Sequence, residues 1–561
     1  MHLSADRVRA VGRVLLVYVV VAVVVAPLTA AWALTRTTVE DAIGVSPTTF
    51  SLTTRGHSEL RLGIAGTVYV PRSTGPVGLV ATVDGPMSAD GGTAGADLAQ
   101  YLSPAMLELY AGLFHDPERA VRGYVDLVVD EARHQFLVAE LALTLLGGTL
   151  LFVIARLLPV RPVPRRSARL SAAAGLMLVV SVGLGLWQLA TGSGSGPDTG
   201  VFALPALHGT PANGATTNSP VLRLLLGSAI PKVQTLVDRQ EAASADYSQR
   251  ARAGLSAQRS LVTGPGPGEQ AVLMQSDMHC NRTMIALQST VRKMLTDDHG
   301  GDVPSLLAIT GDLTTNGTAA EKDCIDSEAA IGGDAPVAAV TGNHESELSA
   351  DEMKSAGMKV LDGKTVDVGG TSVLGTGDPE RTELFGGTAR RGDLSEEDVG
   401  TALRRTASEH RPTLLLVHEA YAAAAFLGVT DMRAFLDARG PATVPQQDDV
   451  PDVPASAVFY GHWHRSVEPR VVWNSDGTWT LVMELNTSGG AVASPTIGNF
   501  STPWTPPQQE ASFPVVFLDK TTHLVTGYQI YAFDTHGNVT IEPRVEVGTP
   551  PSASTSRGNS R

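Results

Sequence analysis

Residues 271–279 read AVLMQSDMH, an apolar run that ends in an aspartate and, two positions later, a histidine. The run predicts a buried β-strand, because it is short, aliphatic and bounded by polar residues. In an extended chain alternate side chains lie on one face, so Asp277 and His279 are expected to point to one metal ion. The pattern alone is weak, since a helix-capping aspartate beside a surface histidine would look the same.

An apolar run followed by polar or titratable residues occurs four more times towards the C-terminus. The segments are 306–314 (LLAITGDLT), 340–345 (VTGNHE), 413–419 (TLLLVHE) and 457–465 (AVFYGHWHR). Each predicts a strand whose end delivers side chains to a loop. The candidate metal ligands are Asp277, His279, Asp312, Asn343, His418, His462 and His464.

These candidate ligands combine carboxylate, amide and imidazole groups. Carboxylates bind any divalent cation, whereas imidazole shifts the preference from Ca²⁺ and Mg²⁺ towards Mn²⁺, Fe or Zn²⁺. Asp312 has two oxygens and could bridge two cations. His344 follows Asn343 and could reach across the site without being a ligand itself. Five such motifs at successive strand ends would rarely arise by chance.

The order of these motifs resembles the signature of calcineurin-like metallophosphoesterases over roughly residues 269–540. That signature consists of DxH, GD, GNHE, an apolar strand ending in His, and GHxH. The resemblance implies an α/β fold, a four-layer α-β-β-α sandwich with the ligands on loops at one end of the sheets. It also implies two divalent metal ions that share Asp312. One ion would be held by Asp277, His279, Asp312 and His464, and the other by Asp312, Asn343, His418 and His462.

The favoured function is therefore the hydrolysis of phosphate mono- or diesters. The resemblance implies that a hydroxide between the metals attacks, while His344 stabilises the phosphate or protonates the leaving oxygen. The alternative is a non-catalytic membrane receptor or scaffold that binds a phosphorylated ligand. An intact His344 counts against it, because binding alone has less need of a proton donor.

Three apolar segments in the N-terminal part are long enough to cross a bilayer: residues 14–34, 136–158 and 170–190. Glu140 lies near the start of the second segment and could reach towards water. The first segment could instead be a signal peptide, since residues 31–33 (AWA) resemble a cleavage site. Its apolar run, however, exceeds the usual length of about 7–15 residues.

The arginines predict how these segments are oriented. Arg7, Arg9 and Arg13 precede the first, and four more arginines at 161–169 lie between the second and third. Basic flanks remain cytoplasmic, so the N-terminus is expected inside and the C-terminal domain outside a cell membrane. A transporter is not indicated, because Glu140 is the only acidic residue in the segments, Arg156 lies near the end of the second, and no interrupted pair of helices is seen.

The chain has two cysteines, Cys280 and Cys324, too few for a zinc-ribbon or iron–sulfur site. A disulfide between them would contribute ~4 kcal/mol in the chain-entropy model, given an oxidising compartment. Two free buried thiols are the alternative. With the domain outside, and Cys280 next to a ligand of the resemblance, a disulfide bracing the metal loops is favoured.

Composition and pattern predict six parts in the chain of 561 residues. They are the N-terminus with the first span (1–35), an extracytoplasmic small β module plus helix (36–135), two spans with a basic loop (136–190), a tether and helical segment (191–268), the metallophosphoesterase domain (269–547) and a disordered tail (548–561).

The net charge of −15 indicates no nucleic-acid surface. The expected partners are a phosphoester substrate and the membrane. Gly147 and Gly148 could support oligomerisation, but no oligomeric state is predicted.

Overall fold

The fold is taken from a computed structural model. It describes residues 5–43, 46–55, 57–62, 66–70, 77–83, 117–157, 179–184, 187, 202–208, 213–382, 388–438, 450–492 and 503–548. The chain forms two compact units: residues 1–93 and 120–232 make the first, and the remainder makes the second. The predicted tail beyond 548 and most of the predicted third span, 170–190, lie outside the described residues.

The first unit contains two long apolar helices, α1 (Ala5–Arg36) and α2 (Pro117–Leu157). By length and composition, both could cross a membrane, and α1 also has the position of a signal sequence. Helix α2 includes nearly all of the predicted second span and begins well before it.

Helices α1 and α2 make polar and close contacts with each other. Glu140, which was expected to reach towards water, accepts a hydrogen bond from Thr29 Oγ1 of α1 over 2.5 Å. A hydroxyl donor stabilises a carboxylate in apolar surroundings. A Cβ atom at Gly148 would collide with the ring of Tyr18. Gly148 therefore serves a contact within the chain.

A seven-stranded sheet among the described residues completes the first unit. Its strands are β1 (Thr38–Ile43), β2 (Ser46–Thr53), β3 (Ser58–Arg61), β4 (Thr67–Val70), β5 (Gly78–Val83), β6 (Phe202–Ala203) and β7 (Thr216–Thr217), in the order β1-β2-β5-β3-β4-β7-β6. Strands β6 and β7 lie in the segment for which the sequence predicted a tether. Thr217 Oγ1 donates to Thr67 O, and Asn218 Oδ1 accepts from Thr67 N. These polar side chains satisfy backbone groups of β4, which explains why a polar segment packs there.

The helices of the second unit and the segment before it are α3 (Pro220–Ala257), α4 (Arg282–His299), α5 (Lys322–Ala329), α6 (Glu347–Ser355), α7 (Glu396–Glu409), α8 (Ala420–Leu427) and α9 (Met432–Asp437). Its strands are β8 (Glu269–Gln275), β9 (Leu306–Ile309), β10 (Val337–Ala339), β11 (Lys359–Val360), β12 (Val366–Val368), β13 (Thr371–Gly375), β14 (Glu380–Thr382), β15 (Thr388–Arg390), β16 (Leu414–Leu416), β17 (Ala457–Tyr460), β18 (Arg470–Trp473), β19 (Trp479–Glu484), β20 (Ala511–Asp519), β21 (Val525–Phe533), β22 (Val539–Ile541) and β23 (Val545–Glu546).

Two large mixed sheets organise this unit. One has the order β11-β10-β9-β8-β20-β21-β22, with β23 also paired to β21, and the other has the order β12-β13-β16-β17-β19-β18. Strands β8, β9 and β10 are parallel, as are β13, β16, β17 and β19. The five predicted motifs follow parallel strands, so within each sheet their loops leave the same edge.

Alternate residues of each strand enter different hydrophobic clusters, because successive side chains point to opposite faces. Val272 of β8 and Leu414 of β16 belong to one cluster that includes residues of both large sheets. Leu273 packs with buried residues of α4. Leu415 packs with residues of α7 and α8, including Phe426. Both faces of these strands are therefore buried, which accounts for their continuous aliphatic sequences.

Candidate metal centre

Five of the seven candidate ligands have a left-handed backbone. The φ angles are 51° at Asp277, 45° at His279, 52° at Asp312, 70° at His462 and 51° at His464. Strand β8 ends at Gln275 and β17 at Tyr460, before these residues. The expected geometry, an extended chain with alternate residues on one face, is therefore wrong. Each such residue costs on the order of 1–3 kcal/mol, a strain that persists at functional sites when the surroundings determine the conformation.

Glycines allow the motif loops to approach one another. A Cβ atom at Gly342 would collide with the carboxylate of Asp312, and one at Gly461 would collide with Ser276 and Asp277. Only glycine avoids these collisions, because it has no side chain. The glycines of GNHE and GHxH are thus required by contacts with other motifs.

The first group of ligand atoms comes from Asp277, His279 and His464, whose donor atoms lie within 4.8 Å of one another. His464 Nε2 lies 3.1 Å from Asp277 Oδ1 and 3.1 Å from His279 Nε2. His279 Nε2 also lies 3.8 Å from Asp312 Oδ2. Asp277, His279 and Asp312 are buried, and His464 is partly buried.

The second group is formed by Asp312, Asn343, His418 and His462. His418 Nε2 lies 3.2 Å from Asp312 Oδ2 and 2.9 Å from Asn343 Oδ1. His462 Nδ1 lies 3.0 Å from the same amide oxygen and 3.3 Å from His418 Nε2. The structure therefore brings all seven predicted ligands together, with Asp312 between the two groups.

The donor set fits divalent cations. His464 Nδ1 lies 2.7 Å from Ala491 O, and His418 Nδ1 lies 2.9 Å from Thr310 O. A ring nitrogen beside a carbonyl oxygen donates its proton, so in the neutral ring Nε2 presents a lone pair. Lone pairs of imidazoles, carboxylates and an amide oxygen that converge at about 3 Å are stabilised by a cation between them.

Charge within the centre also favours cations. Burial works against the ionised form of Asp312, but the charges of His418 and His344 hold its pKa well below the usual range. Burial also works against the ionised form of Asp277, but the charges of His464 and His418 outweigh it and lower the pKa of this carboxyl. Both carboxylates are therefore ionised at neutral pH and available as ligands.

Further carboxyl groups surround the second group. Burial raises the pKa of Asp378 to about 6, of Glu396 to about 7 and of Glu419 to about 8. Glu419 Oε1 lies 3.1 Å from Nε2 of His462, on the side of the ring opposite the ligand atom Nδ1. A nearby cation favours the ionised form of each carboxyl, so these groups add negative charge when cations bind.

His344 lies beside both the first group and Asp312. Its backbone N donates to Asp312 Oδ1 over 3.0 Å, and its ring contacts the His279 ring edge to face at a centroid distance of 4.9 Å. His344 Nδ1 lies 2.6 Å from Thr315 O. This contact leaves Nε2 as the ring nitrogen that can exchange a proton.

Several residues that support the ligands were not singled out from the sequence. Glu345 accepts hydrogen bonds from the backbone N of Asp312, Thr314 and Gly342, and so joins two motif loops. It stands in the GNHE motif, where its position next to the ligand loop was a usable signal. Glu419 directly follows His418 and was equally visible. Ser276, which donates to Asp277 Oδ2, gave no such signal.

Cys280 and Cys324 form a disulfide, with their Cα atoms 5.2 Å apart. Cys280 directly follows His279, and Cys324 lies in α5. Cys280 N also donates to Leu313 O, next to Asp312. The disulfide thus lies at the base of two loops that carry candidate ligands.

Residues 271–466 match the family model of the calcineurin-like phosphoesterases. Residues 271–466 are thus a calcineurin-like phosphoesterase domain, in agreement with the resemblance seen in the sequence, and this family comprises hydrolases that act on phosphoric esters. The family uses divalent metals at a dinuclear site, and the clustered Asp and His residues are possible ligands for them. Strand β20, which pairs with β8, lies beyond the matched residues, so the sheet continues past them. Comparison with curated proteins gives no match.

Proposed function

We propose that this chain is a membrane-anchored phosphoesterase that hydrolyses phosphate mono- or diesters at a dinuclear metal centre facing outside the cytoplasm. The observation that carries the proposal is the position of Asp312 between two groups of donor atoms. Its Oδ2 lies 3.8 Å from His279 Nε2 of one group and 3.2 Å from His418 Nε2 of the other. A shared carboxylate between two clusters suits a pair of cations.

The ligand assignment is that of the sequence: Asp277, His279, Asp312 and His464 for one ion, and Asp312, Asn343, His418 and His462 for the other. Two bound divalent cations would lower the pKa of water and neutralise charge on the phosphate. The identity favoured by this donor set is Mn, Fe or Zn.

His344 is the residue proposed to act on the substrate. Its Nδ1 is engaged by Thr315 O over 2.6 Å, so the proton transferred to the leaving oxygen is held at Nε2. The hydrogen bond from its backbone N to Asp312 keeps this ring close to the shared carboxylate. His344 thus combines a fixed ring orientation with a ring N–H that can be donated to the leaving oxygen.

The proposed fold of the domain is the four-layer α-β-β-α sandwich. Support comes from the three hydrophobic clusters, of which one includes residues of both large sheets and two combine a sheet with helices. Such sharing is expected when two sheets face each other and helices cover the outer faces.

The proposed topology has three spans: residues 14–34 within α1, residues 136–158, nearly all of which belong to α2, and the segment 170–190. Cytoplasmic arginines at 7–13 and 161–169 support an outside location for the C-terminal domain. The disulfide Cys280–Cys324 supports it too, since disulfides persist in oxidising compartments. A cleaved first segment would lead to the same location of the domain.

The test uses the full-length chain in detergent with an aryl phosphomonoester and an aryl phosphodiester, with and without Mn²⁺. We expect metal-dependent turnover of at least one ester, lost in Asp312→Ala. His344→Ala should lower kcat by about 10²–10⁴-fold while metal binding persists. The exposed His410 supplies the control, and His410→Ala should keep full activity.

The outcomes separate the two functions considered. Turnover that survives in Asp312→Ala would contradict the proposed centre. Two bound metals without turnover of either ester would favour the receptor or scaffold that binds a phosphorylated ligand.

A further inference from the structure

Strands β14 and β15 form a separate two-stranded ribbon, in which Thr382 is paired with Thr388. The ribbon contacts the loop that carries the ligand Asn343. Thr382 N donates to Asn343 O over 2.9 Å, and the Asn343 side-chain Nδ2 donates to Thr382 Oγ1. The ribbon residue thus holds both the backbone and the side chain of this candidate ligand.

Arg391, directly after β15, holds the same loop from the two sides. Its Nη2 donates to Gly342 O over 2.8 Å and to Glu345 O over 2.6 Å. These carbonyls flank Asn343 and His344 in sequence. Arg391 N also donates to Pro379 O, which ties the end of the ribbon to its beginning. One guanidinium nitrogen therefore fixes the carbonyls on either side of two site residues.

We propose that Thr382 and Arg391 are positioning residues that hold Asn343 in the orientation required of a metal ligand. This inference rests on the proposed function. Asn343 Oδ1 lies 2.9 Å from His418 Nε2 and 3.0 Å from His462 Nδ1, towards the second group of ligand atoms. Its Nδ2 points the other way, to Thr382.

The opposite orientation of the amide is the competing state. A half-turn about the last side-chain bond would direct the NH₂ group towards His418 and His462 and remove the oxygen from the site. An amide N–H has no lone pair to offer a metal. In the observed orientation Thr382 Oγ1 is the acceptor that satisfies Nδ2. Without that acceptor, the ligating orientation loses a hydrogen bond, and the population of the non-ligating orientation rises.

The test is a Mn²⁺ titration of the metal-stripped, full-length chain in detergent by calorimetry, without substrate. Thr382→Val should raise the Kd of one of two Mn²⁺ ions by about tenfold or more and leave the other nearly unchanged. Thr382→Ser restores the hydroxyl and should bring that Kd back to within about threefold. Thr388→Val is the matched control, because Thr388 is the exposed partner of Thr382 in the ribbon. Two unchanged Kd values in Thr382→Val would overturn the proposal.

Arg391 is tested by the same Mn²⁺ titration, with its sequence neighbour Arg390 as the control. Arg391→Gln should weaken Mn²⁺ binding in the same direction, whereas Arg390→Gln, at an exposed position, should not. Equal effects of the two variants would overturn the role of Arg391.

Steady-state kinetics distinguish positioning from substrate contact. If Thr382 acts through Asn343, saturating Mn²⁺ restores kcat of Thr382→Val to within about twofold and leaves KM unchanged. A raised KM that persists at saturating Mn²⁺ would overturn the positioning role. A chain that binds two Mn²⁺ ions but hydrolyses no ester would contradict the proposed function alone, because the titration does not depend on turnover. A chain that binds no Mn²⁺ would overturn both.

Discussion

His279 Nε2 and His464 Nε2 lie 3.1 Å apart inside the phosphoesterase domain. Two lone pairs at this distance repel each other, so a proton or a cation must lie between or beside them. Burial opposes a charge on His464, but the carboxylate of Asp277 outweighs it and raises the pKa of His464 above its usual value. Burial lowers the pKa of His279 to about 3. In the metal-free protein, His464 therefore carries the proton and His279 is neutral.

Metal binding should release protons and become tighter as the pH rises. The pKa of His418 is also raised well above its usual value, because Asp312 outweighs the effect of burial. Groups with a raised pKa hold their protons at neutral pH, and a cation must displace them. We expect the Mn²⁺ affinity to increase by about tenfold per pH unit for each displaced proton while the pH lies below the raised pKa of these histidines, and to level off above it. Calorimetry in buffers of different ionisation enthalpy measures the released protons, and a pH-independent Kd would contradict this account.

The disulfide should stabilise the domain and its metal loops. Replacing both Cys280 and Cys324 by alanine should lower the free energy of unfolding by about 2–4 kcal/mol. Metal binding should weaken as well, because Cys280 directly follows His279. Urea unfolding with and without a reductant measures the effect. The reductant should destabilise the natural chain and leave the double variant unchanged, and any other pattern speaks against the disulfide.

Glu345 should be required to hold the two motif loops together. Glu345→Gln replaces an acceptor oxygen by an NH₂ group opposite backbone N–H donors, among them those of Asp312 and Gly342. An unsatisfied buried donor costs about 1–3 kcal/mol, and we expect a loss of stability of that size or larger. Thermal unfolding provides the measurement. Glu347→Gln, two positions later and exposed, is the control that should unfold like the natural chain.

Glu419 should orient His462 for metal binding. Its Oε1 lies 3.1 Å from His462 Nε2. An ionised Glu419 therefore accepts a hydrogen bond from Nε2–H, which leaves Nδ1 without a proton and available as a ligand atom. Such a partner behind a histidine ligand typically changes metal affinity by about 10–100-fold. Glu419→Gln should lower the affinity for one Mn²⁺ by this factor, as measured by calorimetry. Glu409→Gln, at an exposed position, should have no effect.

The orientation of the chain can be tested with a reporter that works only in the cytoplasm. Fusion after Arg561 should give no signal, because three spans with a cytoplasmic N-terminus place the C-terminus outside. Fusion after Arg165, in the basic segment between the second and third predicted spans, should give a strong signal. A signal from the first fusion would show that the number or direction of the spans is different.

The candidate ligands could be predicted from the sequence because each stands next to a strand that is visible as an aliphatic run. Asp277, Asp312 and His418 follow runs that are buried on both faces, and such runs are readable locally. The resemblance of the five motifs to one family then supplied the expectation of a dinuclear centre. The small strands β6 and β7 were missed, because a strand of two residues is too short to show a periodicity.

Other features depend on contacts between residues far apart in the chain, and only the tertiary structure decided them. The left-handed backbone at Asp277 and His462 replaces the extended geometry that alternate spacing suggested, because the loops must fold back towards each other at the sheet edges. Which nitrogen of His418 faces the centre depends on the carbonyl of Thr310, which lies 108 positions away in the chain. The contact of Thr382 with Asn343 likewise joins two segments that no local pattern links. The amino-acid sequence by itself therefore determined the identity of the candidate ligands and the chemistry that such side chains can support. Their orientation was decided by packing, since the partners that orient a side chain are adjacent in space and remote in sequence.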